Sequence, residues 1–319
     1  MKFVHQDREF GDLVRIVARE NGLSAGLVEK DYWVTHTLWA LHQTGLEIWF
    51  KGGTSLSKAF GLIQRFSEDI DLRIEPGTVA ELPRVTSWKS ENRGRIAERR
   101  AWYEALDRAM PVPGAKVKLD TEQMEPKARA AAYRVEYPGR FLADLGPSLK
   151  PFVLLEVGIA RVTPFVQRDL DSFVHRWLVN SGQASDFADN RPRRVRSVHP
   201  LVTLLEKLDA VSRRFAGGPA DPAAFVRHYE DAARIIERVP ALPGPPQTAS
   251  RLVAEMLQER QIAHPPRADD PAFVLADPEL RERCIAAHEA IGGMYWGPRL
   301  SLDESCKRIR KWIAANVAP

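Results

Sequence analysis

Hydrophobic and polar positions near the start of the chain predict three helices and one buried strand. Apolar residues recur on one helical face over residues 7–20, and again from Ser24 to about Gln43. The segment EIWF at 47–50 is short and apolar and is followed by two glycines, which is typical of a buried strand. From Thr54 to Gln64 the apolar residues return to helical spacing.

The pattern then changes to strands. Residues 69–74, DIDLRI, alternate polar and apolar side chains, the period of a half-buried strand. Residues 81–110 have a basic and mainly helical pattern. Three strand-like segments follow at 115–120, 131–137 and 152–160, separated by connectors that contain Pro and Gly. This arrangement is typical of an antiparallel meander.

The last part of the sequence predicts helices alone. A polar stretch at 180–197 indicates a junction between domains. Residues 200–215 then place five leucine and valine side chains on one side of a helix. The next helix is expected to open at Asp221-Pro222, an N-cap followed by proline, and the sequence ALPGPP at 241–246 interrupts the helices again.

Together these elements predict an α/β (α+β) protein with two lobes. Residues 1–180 would form a domain with a mixed sheet and N-terminal helices, and residues 195–319 a helical C-terminal domain. A length of 319 residues suits two modest domains. The composition, with 44% hydrophobic and 28% charged residues, is that of a globular protein with a substantial core.

The sequence gives no indication of a membrane or secreted protein. The N-terminus is charged and lacks the apolar stretch of a signal peptide. No segment reaches the roughly 18 continuous apolar residues of a membrane span. The two cysteines, Cys284 and Cys306, fit neither a disulfide framework nor a multi-cysteine zinc site. We therefore expect a cytoplasmic protein without a membrane partner.

Positive charge is concentrated in short runs, although the formal net charge is only +4. Residues 84–100 and 191–196 are rich in arginine. Such runs can neutralise the phosphates of a nucleic acid, or they can be solvated helix faces. The sequence leaves both interpretations open.

The stretch KGGTSLSKAFGLIQRFSEDID, residues 51–71, carries the strongest chemical signal. Residues two apart on a strand point to the same face, so Asp69 and Asp71 could hold divalent cations side by side. Gly52 and Gly53 would let backbone N–H groups approach a phosphate closely.

Thr54 and Ser55 stand where a helix is expected to begin, and the helix dipole favours an anion there. Metal ligands beside phosphate ligands are what phosphoryl or nucleotidyl transfer requires. A tight turn followed by an acidic strand is the structural alternative. The sequence is not a P-loop, because GxxxxGK[ST] is absent.

The motifs KGGTSLSKAF and FSEDIDL resemble the DNA polymerase β-like nucleotidyltransferase superfamily. More closely, they resemble the AbiEii/MenT type of nucleotidyltransferase toxin of type IV toxin–antitoxin systems. The resemblance extends to VEKDYWVTHTLWAL (28–41), LLEKLDA (204–210) and RHYEDAARI (227–235). It therefore covers most of residues 25–240, whereas the last part of the chain matches no motif that we would name.

The superfamily resemblance implies that Asp69 and Asp71 bind two Mg²⁺ ions together with a third carboxylate from a neighbouring strand. We take Glu156 as this third acid, because an acid within an apolar strand is costly to bury unless it is paired or binds metal. An ion pair with an arginine of an adjacent strand is the alternative. Glu136 is the weaker competitor.

The toxin family further implies that a lysine and an aspartate of the helical half complete the site, and Lys207 and Asp231 match those positions. Lys207 would contact the triphosphate as a point charge, or lie at the surface, because it falls off the apolar stripe of its helix. Asp231 could instead pair with Arg227 one turn earlier. Tyr229 is expected in the core, and the position of His228 is undecided.

Two further residues are implied by resemblance. Lys51 could reach a phosphate, or it could be a surface lysine at the end of a strand. In some members of the toxin family a partner antitoxin kinase silences the enzyme by phosphorylating a serine near this site. Ser67 is the matching candidate, because a phosphate there would bring about two negative charges next to the metal-binding acids.

The expected function is therefore that of a toxin that transfers the NMP of an NTP to RNA, with the 3′ end of tRNA as the leading acceptor. Its partners would be the NTP, the RNA and a cognate antitoxin that acts as a DNA-binding repressor or a kinase. Two alternatives stay open: modification of a protein hydroxyl, and a non-catalytic nucleotide-binding regulator. No motif in the sequence selects the NTP.

Overall fold

The structure is a computed structural model of the chain. It describes residues 1–67, 69–79, 81–146, 149–216, 221–242 and 248–317. The chain forms two compact units. The first unit comprises Met1–Ala59, Ser67–Ala160 and Val166–Ser197, and the second comprises Phe60–Phe66, Arg161–Phe165 and Val198–Pro319.

The first unit is built on a seven-stranded mixed sheet. Its strands are β1 (Glu47–Lys51), β2 (Asp69–Glu75), β3 (Lys116–Asp120), β4 (Ala130–Glu136), β5 (Val153–Gly158), β6 (Phe165–Arg168) and β7 (Val195–Val198). They lie in the order β3-β4-β5-β2-β1-β7-β6. The pairs β3–β4, β4–β5 and β1–β2 are antiparallel, whereas β2–β5 and β1–β7 are parallel.

Five helices belong to the first unit: α1 (Phe10–Asn21), α2 (Ala25–His42), α3 (Gly52–Lys58), α4 (Arg93–Ala109) and α5 (Phe173–Asn180). Apolar side chains of α1, α2, α4 and α5 share one core with the inward-facing residues of strands β1, β2, β4 and β5. Helix α2 is buried along most of its length. It is therefore the central helix of the unit.

Three consecutive charged residues of α2 are buried and bind other segments. Glu29 accepts hydrogen bonds from the backbone N–H groups of Arg140 and Phe141, at 2.9 Å each.

Asp31 forms an ion pair with Lys58 of α3 and accepts a hydrogen bond from the N–H of Phe173 at the start of α5. Lys30, between them, donates to the carbonyl oxygen of Lys150 at 2.7 Å. Buried charges are stable only with such partners, so these contacts fix the loops that they reach.

The second unit consists of helices: α6 (Pro200–Ala216), α7 (Arg227–Arg238), α8 (Ala249–Gln258), α9 (Pro271–Val274), α10 (Pro278–Ala290) and α11 (Leu302–Asn316). From Pro200 onward, the described residues form no strand, and only an isolated bridge joins Tyr295 to Arg65. Among all described residues, no helix is both long and apolar enough to cross a membrane. The predicted α+β class, with a mixed sheet followed by a helical part, is confirmed.

Most of the predicted elements are found, and the three strands β3, β4 and β5 form the expected antiparallel meander. The helix predicted from Thr54 to Gln64 is wrong at its end, because α3 stops at Lys58. Gly61 adopts a left-handed conformation with φ of 61°. Beyond it, Arg65 is buried in the second unit, and this tertiary contact overrides the helical pattern.

Other predictions need smaller corrections. Residues 81–92 are not helical, because the guanidinium of Arg99 in α4 binds the carbonyl oxygens of Ser87 and Ser90. Asp221 does cap through its side chain, but it caps a single 3-10 turn at Pro222–Ala224. Residues 243–246 of the predicted break lie outside the described residues.

A network of neutral imidazoles lies in the core of the first unit. His175 has Asn190 Oδ1 2.8 Å from its Nε2 and Ser172 Oγ 2.8 Å from its Nδ1. The amide nitrogen of Asn190 lies 2.8 Å from Nδ1 of His36, and Nε2 of His36 lies 2.9 Å from the carbonyl oxygen of Pro113. His36 thus needs one donor and one acceptor nitrogen, which only the neutral form provides, whereas the hydroxyl of Ser172 can either donate to Nδ1 of His175 or accept from it.

Burial lowers the pKa of His175 to about 4, against a partial opposing effect of the Asn190 hydrogen bond. Burial likewise lowers the pKa of His36. A folded-state pKa below the unfolded value of 6.5 stabilises the protein above pH 6.5, and this contribution is lost as the pH falls towards 4.

We therefore expect the free energy of unfolding to fall between pH 7 and pH 5, with His175 contributing about 2 kcal/mol of the loss. Urea denaturation of wild type and His175→Gln at both pH values measures this share, because the variant should lose less stability on acidification. His264→Gln, at an exposed position, is the matched control and should behave like wild type. Equal acid sensitivity of His175→Gln and wild type would contradict the prediction.

Candidate active site

Strand β2 presents two carboxylates on the sheet face opposite the helical core. Ile70, Leu72 and Ile74 are at most 2% exposed and face the core, while Asp69 and Asp71 alternate with them. The alternation predicted for this strand is confirmed. Both acids therefore leave the sheet on the same side, two residues apart.

The backbone at Gly52 comes into close contact with Asp71. Lys51, the last residue of β1, is half-buried and lies opposite Asp71 in the antiparallel register. Gly52 follows with φ of 74°, and a β-carbon built there would overlap the carboxylate of Asp71. Only glycine combines this left-handed conformation with the absence of a side chain. Gly53, the next residue, is buried in the first turn of α3.

The side chain of Thr54 stabilises the entry into β2. Its hydroxyl oxygen lies 2.5 Å from the carbonyl oxygen of Asp69 and 3.2 Å from that of Ser67. This hydroxyl is therefore already bound to the backbone, so a phosphate contact of Thr54 would fall to its N–H group. Ser55 is 1% exposed, and its hydroxyl has no hydrogen-bond partner among the described residues.

Asp69 has one carboxylate oxygen that is buried and accepts no hydrogen bond from the described part of the chain. The ammonium of Lys150 lies 3.6 Å from this Oδ1 atom. The backbone of Lys150 is held by the buried Lys30 of α2. Sequence reasoning missed Lys150, because it lies outside every motif and is brought to Asp69 by the fold alone.

Glu156 lies next to Asp71 across the parallel pair β2–β5, where the two residues are in register. The premise that Glu156 is buried is wrong, because its residue is exposed on the open face of β5. An open cavity of about 250 Å³ is lined by Lys51, Asp71 and Glu156, among others. The strand register therefore places Glu156 beside Asp71, although Glu156 is not the buried acid that the sequence suggested.

Glu136 does not share this position. Its carboxylate forms an ion pair with Lys118 at 2.7 Å. It lies four residues along β4 from Ala132, the residue that faces Glu156, which is about 13 Å along the strand.

The carboxylates of Asp69 and Asp71 meet only part of the requirements of a magnesium site. Among the described residues, no three His, Cys, Asp or Glu side chains come together closely enough to hold a metal ion. Magnesium, however, is commonly bound through one or two protein carboxylates, with water and substrate phosphates as its other ligands. Asp69 and Asp71 supply hard oxygen ligands of this kind, and the oxygen of Asp69 without a hydrogen bond is available for a cation.

Lys207 and Asp231 lie together in the second unit. Asp231 is 0% exposed and accepts two hydrogen bonds from Arg65, at 2.8 and 2.7 Å, and one from Lys207 at 2.8 Å. Burial alone would raise the pKa of Asp231, but the charges of Arg65 and Lys207 hold it well below its usual value. The surface alternative for Lys207 is wrong, and Asp231 pairs with Arg65 and Lys207 instead of Arg227.

The other two residues of this motif have distinct environments. Tyr229 is fully buried, as predicted, and its hydroxyl donates to the carbonyl oxygen of Ala272. His228 lies 3.3 Å from the ammonium of Lys207.

Arg65, which binds Asp231, is the residue of this buried cluster that sequence reasoning missed. It stands inside the quoted stretch 51–71, but nothing in that stretch identifies a partner so distant along the chain.

The basic runs are largely engaged in contacts within the protein. In the run 191–196, Arg191 and Arg193 bind Asp189, and Arg196 binds Glu47. In the run 84–100, Arg99 is fully buried and donates to backbone carbonyl groups. These arginines therefore give little support to a nucleic-acid surface.

The chain is similar to one described protein family. The family model "Nucleotidyl transferase AbiEii toxin, Type IV TA system" matches residues 37–290. No curated protein matches the chain. Among solved structures, it is similar to the crystal structure of JHP933 from Helicobacter pylori, with 13% sequence identity, a TM-score of 0.43 and 89% of each chain covered.

Replacing Gly52 with alanine should disturb Asp71 beyond the backbone strain itself. A side chain at this φ costs about 1–2 kcal/mol, and its β-carbon would also displace the carboxylate. We expect Gly52→Ala to weaken Mn²⁺ binding, measured by electron paramagnetic resonance, at least tenfold. Gly61→Ala is the matched control, because Gly61 has a similar φ of 61° but open space around it. Equal Mn²⁺ affinities of the two variants would contradict the prediction.

Proposed function

The chain belongs to the AbiEii family of nucleotidyl transferase toxins of type IV toxin–antitoxin systems, and on that premise we propose that it transfers the NMP of an NTP to RNA. The proposed acceptor is the 3′ end of tRNA. One observation carries the proposal. Asp69 and Asp71 stand on the sheet face opposite the helical core, and the carboxylate of Asp71 lies directly against the backbone of Gly52, which carries no side chain.

In the proposed enzyme, Asp69, Asp71 and Glu156 would hold two magnesium ions. When bound, these ions would neutralise charge on the triphosphate and on the group that leaves. Lys51 and the backbone N–H groups of residues 52–55 would bind phosphate oxygens and align the α-phosphorus with the attacking hydroxyl. The cavity lined by Lys51, Asp71 and Glu156 supports this part of the proposal.

We propose that residues 1–180 form the nucleotidyltransferase domain and that residues 195–319 form a helical domain that supplies Lys207 and Asp231. The family motif assigns these two residues to the same reaction. Arg65 would act as a positioning residue, because its two hydrogen bonds fix the carboxylate that Lys207 binds. An RNA acceptor would place the reaction in the cytoplasm.

A protein hydroxyl is the second candidate acceptor. The observation that favours it is the engagement of the arginines of 191–196 with acidic neighbours, which weakens the argument for RNA from charge. A non-catalytic regulator, by contrast, would gain nothing from two exposed-face carboxylates and a glycine fitted against one of them.

The decisive assay offers the purified protein Mg²⁺, each α-³²P-labelled NTP in turn, and total tRNA. We expect label on tRNA from one preferred NTP, and a loss of at least a thousandfold in the Asp69→Asn/Asp71→Asn control, because the metal ligands are removed. Label on a protein band instead of tRNA would favour the second candidate. Equal labelling by the control would contradict the role of the two aspartates.

We further propose that a cognate antitoxin controls the enzyme and that Ser67 is a site of inhibitory phosphorylation. Ser67 is half-buried, lies two residues before Asp69, and its carbonyl group is held by Thr54. A phosphate there would add about two negative charges next to the acids and would repel the triphosphate.

A phosphate mimic tests this proposal. Ser67→Glu should lower the labelling rate at least tenfold, because its charge lies near the acids, whereas Ser67→Ala should keep most of the activity. Circular dichroism of both variants controls for folding. Similar labelling rates for the two variants would count against inhibition by charge at this position.

A further inference from the structure

Cationic side chains of helices α6 and α7 meet around His228 in the second unit. A guanidinium nitrogen of Arg214, near the end of α6, lies 3.2 Å from Nε2 of His228. The side-chain nitrogen of Lys207, about two turns earlier on α6, lies 3.3 Å from Nδ1 of the same ring. Arg227 directly precedes His228 at the start of α7. Two cations therefore contact one imidazole, and a third is its neighbour in the sequence.

The guanidinium of Arg227 lies close enough to act on all of these groups. Burial lowers the pKa of Arg214, Lys207 and His228, and the positive charge of Arg227 lowers each of them further. Asp231 opposes this effect at Lys207 and His228. Like charges this close to one another repel, so the cluster is unfavourable unless an anion balances it.

Asp231 balances only a small part of this charge. It is 0% exposed and accepts two hydrogen bonds from Arg65 and one from Lys207. Two buried cations thus already share this one carboxylate. Asp231 therefore does not neutralise Arg214 or Arg227.

Two further carboxylates on these helices bind other arginines. Glu230 of α7 forms an ion pair with Arg299 at 2.7 Å. Asp209 of α6 forms an ion pair with Arg213 at 2.6 Å. The residues between α6 and Asp221 in the sequence, 217–220, are Gly-Gly-Pro-Ala and carry no charged side chain.

Arg214 and Arg227 have more donors than their neighbours accept from. A guanidinium has five N–H donors. Arg214 donates to the carbonyl oxygen of Ala224 at 2.8 Å and approaches His228, but it forms no ion pair within the described part of the chain. Arg227 has neither an ion pair nor a hydrogen bond among the described residues. Arg214 is exposed and Arg227 half-buried, so a ligand from solution can reach their remaining donors.

The ring of His228 adds to the excess of donors. Lys207 and Arg214 approach its two nitrogens, and both carry N–H groups. A neutral imidazole accepts at one nitrogen, and a protonated imidazole accepts at neither. In either state, at least one of the two cations finds no acceptor on this ring.

A compact anion with several oxygens complements this cluster. Four cations against one carboxylate leave an excess of three positive charges, the cations being Arg65, Lys207, Arg214 and Arg227 and the carboxylate Asp231. A nucleic-acid backbone spreads its charge along the strand, one per phosphate. Pyrophosphate instead concentrates several charges on two adjacent phosphates, and guanidinium groups bind phosphate oxygens in pairs.

We propose that Arg214 and Arg227, with the charge of Lys207 beside them, form a binding site for a pyrophosphate group. In the reaction, this group would be the β- and γ-phosphates of the nucleotide, and this assignment rests on the proposed function. The affinity for pyrophosphate itself does not depend on that function. The sequence had suggested Arg227 only as a partner of Asp231, a pairing that the structure does not contain.

Calorimetric titration of the full chain with inorganic pyrophosphate, without metal, tests the site directly. We expect saturable binding by wild type, and an affinity lower by about tenfold or more in Arg214→Gln and in Arg227→Gln, because each variant loses charge-assisted hydrogen bonds. Arg213→Gln is the matched control, since Arg213 is also exposed on α6 but binds Asp209. Its affinity should stay within about twofold of wild type.

Wild type that shows no saturable binding of pyrophosphate would overturn the proposal, and so would equal affinities of the three variants. Circular dichroism controls for folding. Because Arg214 also holds the carbonyl group of Ala224, Arg227→Gln is the variant that decides if Arg214→Gln does not fold. Arg227→Lys, which keeps the charge but not the paired donors, should retain part of the affinity.

The same titration with each NTP, and with a single-stranded RNA oligonucleotide, identifies the source of the phosphates. Arg227→Gln should weaken the binding of the NTP as it weakens that of pyrophosphate, and it should leave the affinity for RNA unchanged. Weaker binding of RNA together with unchanged binding of pyrophosphate would overturn the proposal, because the cluster would then bind a nucleic-acid backbone.

The tRNA labelling assay separates this inference from the proposed function. Arg227→Gln should raise KM for the NTP about tenfold and leave KM for tRNA unchanged, because it removes binding of the nucleotide alone. An unchanged KM for the NTP would overturn the assignment to the nucleotide. Wild type that binds pyrophosphate but labels no acceptor would refute the proposed function and leave the pyrophosphate site in place.

Discussion

The buried charges of helix α2 are the constraint on which the first unit depends. Glu29, Lys30 and Asp31 are consecutive, and a helix directs consecutive side chains to different sides, so one turn reaches three separate loops. Asp31 holds α3 through Lys58, and Lys30 holds the backbone of Lys150 beside Asp69. Since an unpaired charge in this core would be costly, the site loops are fixed by the same forces that fix the helix.

Sequence alone predicted the elements of the site well, because their signals are local. The alternation from Asp69 to Glu75 defines which side chains face the core, and the glycine at 52 marks the place where backbone and carboxylate come close. The helix of residues 200–215 was likewise recognisable from its apolar stripe. Periodicity and glycine conformation are properties of neighbouring residues, so a single sequence contains them.

Partners that are distant along the chain could not be predicted. Nothing local links Arg65 to Asp231, or Lys150 to Asp69, and both pairings arise from packing. Lys207 falls beside an apolar stripe, and this position says nothing about the buried aspartate that it binds. For the arginine run at 191–196, the sequence suggested a partner that the contacts do not support. Its composition is typical of a nucleic-acid surface, whereas its arginines contact nearby acidic and amide groups of the protein. Composition counts charges but does not locate their partners.

The segment Phe60–Phe66 lies between α3 and β2 in the sequence, yet it belongs to the second unit. Its carbonyl and N–H groups bind residues 294 and 296, more than 200 residues further along the sequence. A nonsense or frameshift mutation between the codons of residues 75 and 294 would therefore leave the acids of β2 encoded but remove the partners of the segment that precedes them. In a toxin gene, the codons of residues 294–296 are thus as exposed to inactivating mutation as those of the acidic strand.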